Sequence, residues 1–285
     1  MDRHFPDQAS LLRMLARQNS KSATTHNVPL AVIYGAERCV GVTTLCLNVG
    51  AAIAESGRRV VIVDLDFESD GLAQLCGQGA VASISDLAHS RVDLHETLLP
   101  SVHGALVLPT LAETGSLHAI QPPSLQRLTD QLQRLGRHAD VVLIDAGSRP
   151  TPLTEILWRR AEHFILTACS ARSSLTAGYG AVRHLLESAP RANFGLLLNR
   201  VSAAQPEEPI IEGFNRVCQR HAGAAAIGVG AVRHALEVGA AQASCDAFSV
   251  RYPQSAVAGD LANIAKRITS LVFDASTVQL YRRAA

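Results

Sequence analysis

The stretch LAVIYGAERCVGVTTLCLNVGAAIAESGRRVVIVDLDFESDGLAQLCG, residues 30–77, constrains this chain more than any other. Leu30–Tyr34 is a short apolar run with β-branched residues and predicts a buried strand. A loop from Gly35 to Gly41 follows, and Val42-Thr43-Thr44 opens a helix whose Leu45, Val49 and Ile53 recur at helical spacing. Gly57 marks the end of that helix, and Val60–Val63 predicts a second buried strand closing on Asp64-Leu65-Asp66. Strand, loop, helix, strand is the first half of a phosphate-binding α/β unit, whose loop lies at the carboxyl edge of the sheet. A composition of 47% hydrophobic and 18% charged residues over 285 positions suits such a buried sheet.

A working phosphate loop reads GxxxxGK[ST]: backbone N–H groups cradle phosphate, the lysine reaches the terminal phosphates and the hydroxyl holds Mg²⁺. Here Gly41 and Thr43 are in place, and Val42 stands at the lysine position. A lysine contact to bound phosphate is worth roughly 1.5–3 kcal/mol, so its loss costs about one to two decades of affinity.

The stretch resembles the MinD/ParA family of deviant Walker ATPases, whose loop reads KGGxGKTT. Aligned on Gly41-Val42-Thr43-Thr44, the first family lysine falls on Glu37 and its two glycines on Arg38 and Cys39. Asn48, Gly57, the Asp64-x-Asp66 pair and Gly71-Leu72 keep the family spacing. The resemblance implies nucleotide binding by Gly41, Thr43, Thr44, Asp145, Gly147 and Asn199, with Arg38 as a forked substitute for lysine. It implies Mg²⁺ held by Thr43, Asp64 and Asp145, and water oriented by Asp66. The family's crossing lysine stabilises transition-state charge from the other subunit of a dimer. Glu37 instead places like charges at that seam. The resemblance therefore implies ATP or ADP with Mg²⁺, weakly held, on a chain that is either a pseudo-ATPase or an active ATPase with an atypical loop.

Ahead of the first strand, Asp7-Gln8-Ala9-x-x-Leu12-Arg13 resembles the DQAxxLR motif of the FlhG (FleN) family, MinD-like regulators of flagellar number. The resemblance implies that Asp7, Gln8, Leu12 and Arg13 bind and activate an FlhF-type signal-recognition GTPase. The competing reading of residues 1–20 is a tail helix that docks on its own domain. A third class is a MinD-like localisation factor for cellulose secretion or pilus assembly, and the DQA-type arm favours the flagellar reading over it. Residues 21–29 are polar and predict a linker.

Beyond the first unit the sequence predicts alternating helices and strands. A helix over Pro123–His138 precedes a strand from Asp140 to Asp145, a carboxylate placed to reach Mg²⁺ through water. Helix Pro152–Arg160, strand His163–Thr167, helix Leu175–Ser188 and strand Phe194–Asn199 follow, then helix Glu208–Arg220 and strand Ala225–Val229. The last helix, Asp260–Val272, carries Leu261, Ile264, Ile268 and Leu271 as its apolar stripe. In the resemblance, Asp145 and Gly147 match IDTGAG while Arg149 departs from it, and Asn199 matches the residue that reads the adenine edge. Tyr252-Pro253-Gln254-Ser255 looks like the family's YPxSP segment.

The predicted fold is α/β, a three-layer doubly wound, mostly parallel sheet of the P-loop NTPase type with an amino-terminal helical arm. The predicted divisions are the arm, 1–20, the linker, 21–29, the MinD-like domain, 30–274, and a tail, 275–285. A formal charge of +1 gives no field for nucleic acid. No apolar run approaches the length of a membrane span, and residues 1–20 lack the apolar core of a secretion signal, so a cytoplasmic protein is expected. The family also implies a homodimer and peripheral contact with the inner membrane or cell pole. For the tail, an interfacial anchor and an ordinary frayed end both stay open. Six scattered cysteines without CxxC spacing read as reduced thiols. Lys21 and Lys266 are the only lysines.

Overall fold

The computed structural model describes residues 27–80, 82–101, 104–113, 120–161, 163–190, 192–202, 206–242 and 247–273. The arm, with Asp7, Gln8, Leu12 and Arg13, and the tail from 275 lie outside the described residues. β1 (Leu30–Gly35), α1 (Val42–Glu55), β2 (Val60–Asp64) and α2 (Gly71–Cys76) open the fold. Two-residue β3 (Ala82–Ser83), α3 (Ile84–Ala88), β4 (Leu99–Pro100), β5 (Leu106–Leu108) and β6 (Thr110–Leu111) follow. Next come α4 (Pro122–Gln133), β7 (Val141–Asp145), α5 (Pro152–Arg160), β8 (His163–Cys169) and α6 (Arg172–Ser188). β9 (Phe194–Val201), α7 (Glu208–Ala222), β10 (Ile227–Arg233), α8 (Glu237–Gln242), α9 (Phe248–Arg251) and α10 (Ala256–Phe273) complete it.

The main sheet runs β10-β9-β8-β1-β7-β2-β5-β4, with every pairing parallel except β4 on β5. The expected doubly wound α/β sheet is the observed one. β1 lies between β7 and β8, so the chain leaves its carboxyl end at the point where the strand order reverses. A crevice forms there, and that is where such sheets bind ligands.

Burial on both faces explains the continuous apolar strands. Leu30, Val32 and Tyr34 of β1 pack in one layer with Leu125, Leu128 and Leu132 of α4, Leu157 of α5 and Leu185 of α6. Ala31 and Ile33, on the opposite face, pack with Leu45, Val49 and Ile53 of α1 and Leu261, Ile264 and Ile268 of α10. The predicted apolar stripe of the last helix is buried along its length. Gly50 permits the contact of α1 with the sheet, since a Cβ there would lie 2.5 Å from Ile62 Cδ1.

The predicted helix over Pro123–His138 instead ends at Gln133 and continues as a separate 3₁₀ turn, Leu135–Arg137. Gly136 within it is a poor helix former, and the turn lets the chain enter β7. Short α2, α8 and α9 were not foreseen; each has six residues or fewer, too short for a periodic signal.

Candidate functional site

The loop after β1 bends through Cys39 and Gly41, whose φ values of 60° and 99° both lie in the left-handed region. Gly41 takes this conformation freely, whereas Cys39 pays about 1–2 kcal/mol for it. Gly41 has no side chain to cap α1, so the helix amino terminus opens onto a pocket of about 220 Å³. Backbone donors at such a terminus favour an anion. The side chain at the lysine position turns away from that task. Val42 is 7% exposed and joins Val40 over Gly35, where a Cβ would lie 3.0 Å from Val42 Cγ2 and 2.8 Å from Val40 Cγ1. Two valines thus hold the loop by apolar packing, with no cation at its centre. Lys266 is exposed on α10 and lines neither this pocket nor its neighbour, and Lys21 lies outside the described residues.

Asp64 and Asp145 end adjacent strands in register, and both are fully buried. Asp64 accepts from the N–H groups of Asp66 at 3.0 Å and Leu72 at 3.1 Å, so each of its oxygens holds a backbone turn. Burial, then the Asp145 charge, pushes its carboxyl well above the usual range. It does not line the pocket. Asp145 does, and its Oδ1 accepts from Gly147 N at 2.9 Å. Its Oδ2 is buried without a hydrogen-bond partner. Burial raises the Asp145 carboxyl to about 6, countered in part by the Thr43 hydroxyl and the Gly147 N–H. Among the sequence-predicted cation ligands, Thr43 and Asp145 fit Mg²⁺ beside a phosphate, because both line the pocket and Asp145 has a buried oxygen without a hydrogen-bond partner. Asp64 is set back from that pocket, with each oxygen accepting from one backbone N–H.

Asp66 lies against Gly147, where a Cβ would come within 2.9 Å of its Cγ. Its Oδ1 accepts from Glu68 N at 3.0 Å and its Oδ2 from Ser69 Oγ at 2.9 Å. This fixes the loop after β2 and aims Glu68 at the pocket mouth. There Glu68 Oε2 meets Arg38 Nη1 at 2.5 Å and Oε1 meets Arg149 Nη1 at 2.8 Å. One carboxylate therefore ties the loop after β1 to the loop after β7. The predicted phosphate ligand Arg38 is already engaged. Among the described residues, Glu37, Asp66, Glu68 and Asp145 line the pocket against the single lining cation Arg38, a balance that disfavours polyphosphate.

A second pocket, about 210 Å³, meets the first at Gly41 and Thr44. Asn199, Arg200, Arg233, His234, Val238 and Phe248 line it. Asn199 is placed beside the loop, but its Nδ2 donates to Val40 O at 2.7 Å and its Oδ1 accepts from Arg200 N at 2.9 Å. Arg233 is held by Asp260 through Nε at 2.7 Å and Nη2 at 2.8 Å. Asn48 is also structural: it bonds Thr44 O at 2.7 Å and accepts from Ser249 N at 3.2 Å. The fold thus gathers Arg38, Gly41, Thr43, Thr44, Asp66, Asp145 and Gly147 in one pocket and Asn199 in the next. Sequence reasoning missed Glu68, whose partner Arg149 was noted only as a departure from the family pattern. It also missed Arg233, His234 and Phe248, which no local pattern marks.

No family model matches the chain. In sequence it is similar to the antiactivator FleN of Pseudomonas aeruginosa, 22% identical over 245 residues that cover 86% of this chain and 88% of FleN. A shorter match, 31% over 119 residues, is to the septum site-determining protein MinD of Synechocystis sp., covering 41% of this chain and 44% of that protein. In fold it is similar to MinD of Pyrococcus horikoshii, solved with Mg-ADP, at a TM-score of 0.72 and 19% identity. That superposition covers 86% of this chain and 98% of the other.

Proposed function

We propose, on the premise that this chain is a MinD/ParA-like protein related in sequence to FleN, that it regulates flagellar number and biosynthesis with ATP binding and hydrolysis weakened or lost. The observation that carries the second half is Val42, packed over Gly35 where the family has a phosphate-binding lysine. The four carboxylates lining the same pocket point the same way. When a nucleotide with Mg²⁺ is bound, Thr43 and Asp145 would hold the ion, and the amino terminus of α1 would face the phosphates. The ion would supply charge neutralisation that the side chains lack.

The first half rests on the FleN relationship and on Asp7-Gln8-Ala9-x-x-Leu12-Arg13. A segment on a polar linker can fold onto a partner, with an apolar anchor and a charged clamp giving most of the specificity. In this reading Leu12 fills a pocket on an FlhF-type GTPase, and Gln8 and Arg13 reach polar groups at its rim. A peptide of residues 1–20 is expected to accelerate GTP hydrolysis by that partner, with Gln8→Ala or Arg13→Ala weakening the effect. A peptide that leaves the rate unchanged, joined to a loss of thermal stability when residues 1–20 are deleted, would make the arm a packing element and end the reading. In this reading contact with a membrane is peripheral; among the described residues no helix is long and apolar enough to cross one.

A further inference from the structure

We propose that Arg38 and Arg149 form an oxyanion site at the mouth of the phosphate loop, that Glu68 fills it from within the chain, and that a phosphate group from outside displaces Glu68. This rests on the reading of the loop as a phosphate site and names what keeps it closed. The two guanidiniums approach opposite oxygens of a single carboxylate, Arg38 on Oε2 and Arg149 on Oε1. Neither makes another ion pair among the described residues. Each guanidinium has five N–H donors in a fork that matches phosphate as well as carboxylate, and most of those donors remain available.

Glu68 is held in position from behind, because its N–H donates to Asp66 Oδ1 at 3.0 Å. Arg38 follows from the opposite side, on the turn that Cys39 completes with its φ of 60°. Arg149 stands two residues beyond Gly147, on which the Asp66 carboxylate is packed. The arrangement therefore links the loops after β1, β2 and β7, all at one edge of the sheet. It lies over the pocket that Thr43 and Asp145 line.

Displacement is favoured by exposure and by charge. The arginine side chains are 63% and 65% exposed, so the ion pairs contribute little and open readily. A phosphate group brings more charge and more acceptor oxygens than one carboxylate, and both guanidiniums can bind it in forked geometry. Against this stands the tether, which gives Glu68 a high effective concentration that a free ligand must overcome. The wild-type chain is thus biased shut, and removal of Glu68 both frees two cations and deletes one repelling anion.

The test uses the full chain, titrated in a calorimeter with Mg-ATP and separately with Mg-tripolyphosphate. Glu68→Ala is expected to tighten binding at least about tenfold over wild type, and the isosteric Glu68→Gln in the same direction. The gain should vanish in Glu68→Ala combined with Arg38→Ala or Arg149→Ala. Tightening for both probes assigns the phosphate moiety alone, and tightening for Mg-ATP alone assigns the nucleotide; either supports the site. Unchanged binding in both Glu68 variants, with thermal midpoints showing that they fold, would mean that the bridge is only a surface crosslink. A gain that survives loss of the arginines would equally overturn the proposal. Neither result touches the regulatory reading, which is read on the partner's GTP hydrolysis.

Discussion

Asp64 and Asp145 stand side by side in register at the carboxyl ends of β2 and β7, both fully buried. Burial raises both carboxyls, and the Asp145 charge adds to the effect on Asp64. A sequence that keeps two such acids together accepts a stability cost at neutral pH.

That cost has a sign and a window. Asp145 is raised from 3.8 to about 6, so the folded state binds the proton that the unfolded state has already released. Its stabilising contribution is full below the unfolded value and is lost as pH rises through about 6. Asp145→Asn is therefore expected to be more stable than wild type by about 1–3 kcal/mol above pH 7, the difference shrinking toward pH 4. Half-buried His138 and buried His163, both held below the usual histidine range by desolvation, act in the opposite sense but equally in both proteins. Urea denaturation at stepped pH checks this; a difference independent of pH would show that the carboxyl is not the cause.

Nucleotide affinity should follow the loop's side chains. Wild type is expected to bind Mg-ATP with a Kd on the order of 10⁻⁴ M or weaker and to show no intrinsic turnover. Val42→Lys with Glu37→Lys should tighten that about 10- to 100-fold. The same change removes an apolar side chain packed over Gly35, so stability should fall by about 1–2 kcal/mol. Low-micromolar binding by wild type in calorimetry would contradict the first half, and an inert double variant would place the fault in Arg38 and Cys39.

Asn199 offers a test of the tether between distant segments. Its Nδ2 bonds Val40 O at 2.7 Å, and its Oδ1 serves Arg200 N, which sits at a φ of 57°. Asn199→Ala strands both backbone groups and is expected to cost about 1–3 kcal/mol. Chemical denaturation measures it, and a change below about 0.5 kcal/mol would mean that water replaces the amide without loss.

Glu37 lines the pocket, and in the alignment with the MinD/ParA-type loop it falls where that loop has its first lysine. Mg-ATP is accordingly expected to leave the oligomeric state unchanged, because opposed carboxylates would repel across a nucleotide-bridged seam. Light scattering with and without Mg-ATP decides this. A nucleotide-dependent doubling of mass would refute it, whereas constitutive dimerisation through another surface would not.

The α/β sheet was legible because burial on both faces leaves an unmistakable mark: Leu30–Tyr34 and Val141–Ile144 are apolar at every position. The loop between β1 and α1 was legible because Gly41 and Thr43 match the phosphate-loop pattern, and Gly41 takes the left-handed turn that glycine adopts freely. The sequence also placed Val42 where the phosphate-loop pattern has a lysine. What it could not reveal is where Val42 goes, because packing over Gly35 depends on the turn at Cys39 and on Val40 beside it. Nor could it show that Asn199 is spent on the Val40 carbonyl, 159 residues away, or that Glu68 joins Arg38 to Arg149. Such pairings carry no periodicity. They arise when strands distant in sequence end at one edge of the sheet, and only the tertiary structure decides which side chains meet there.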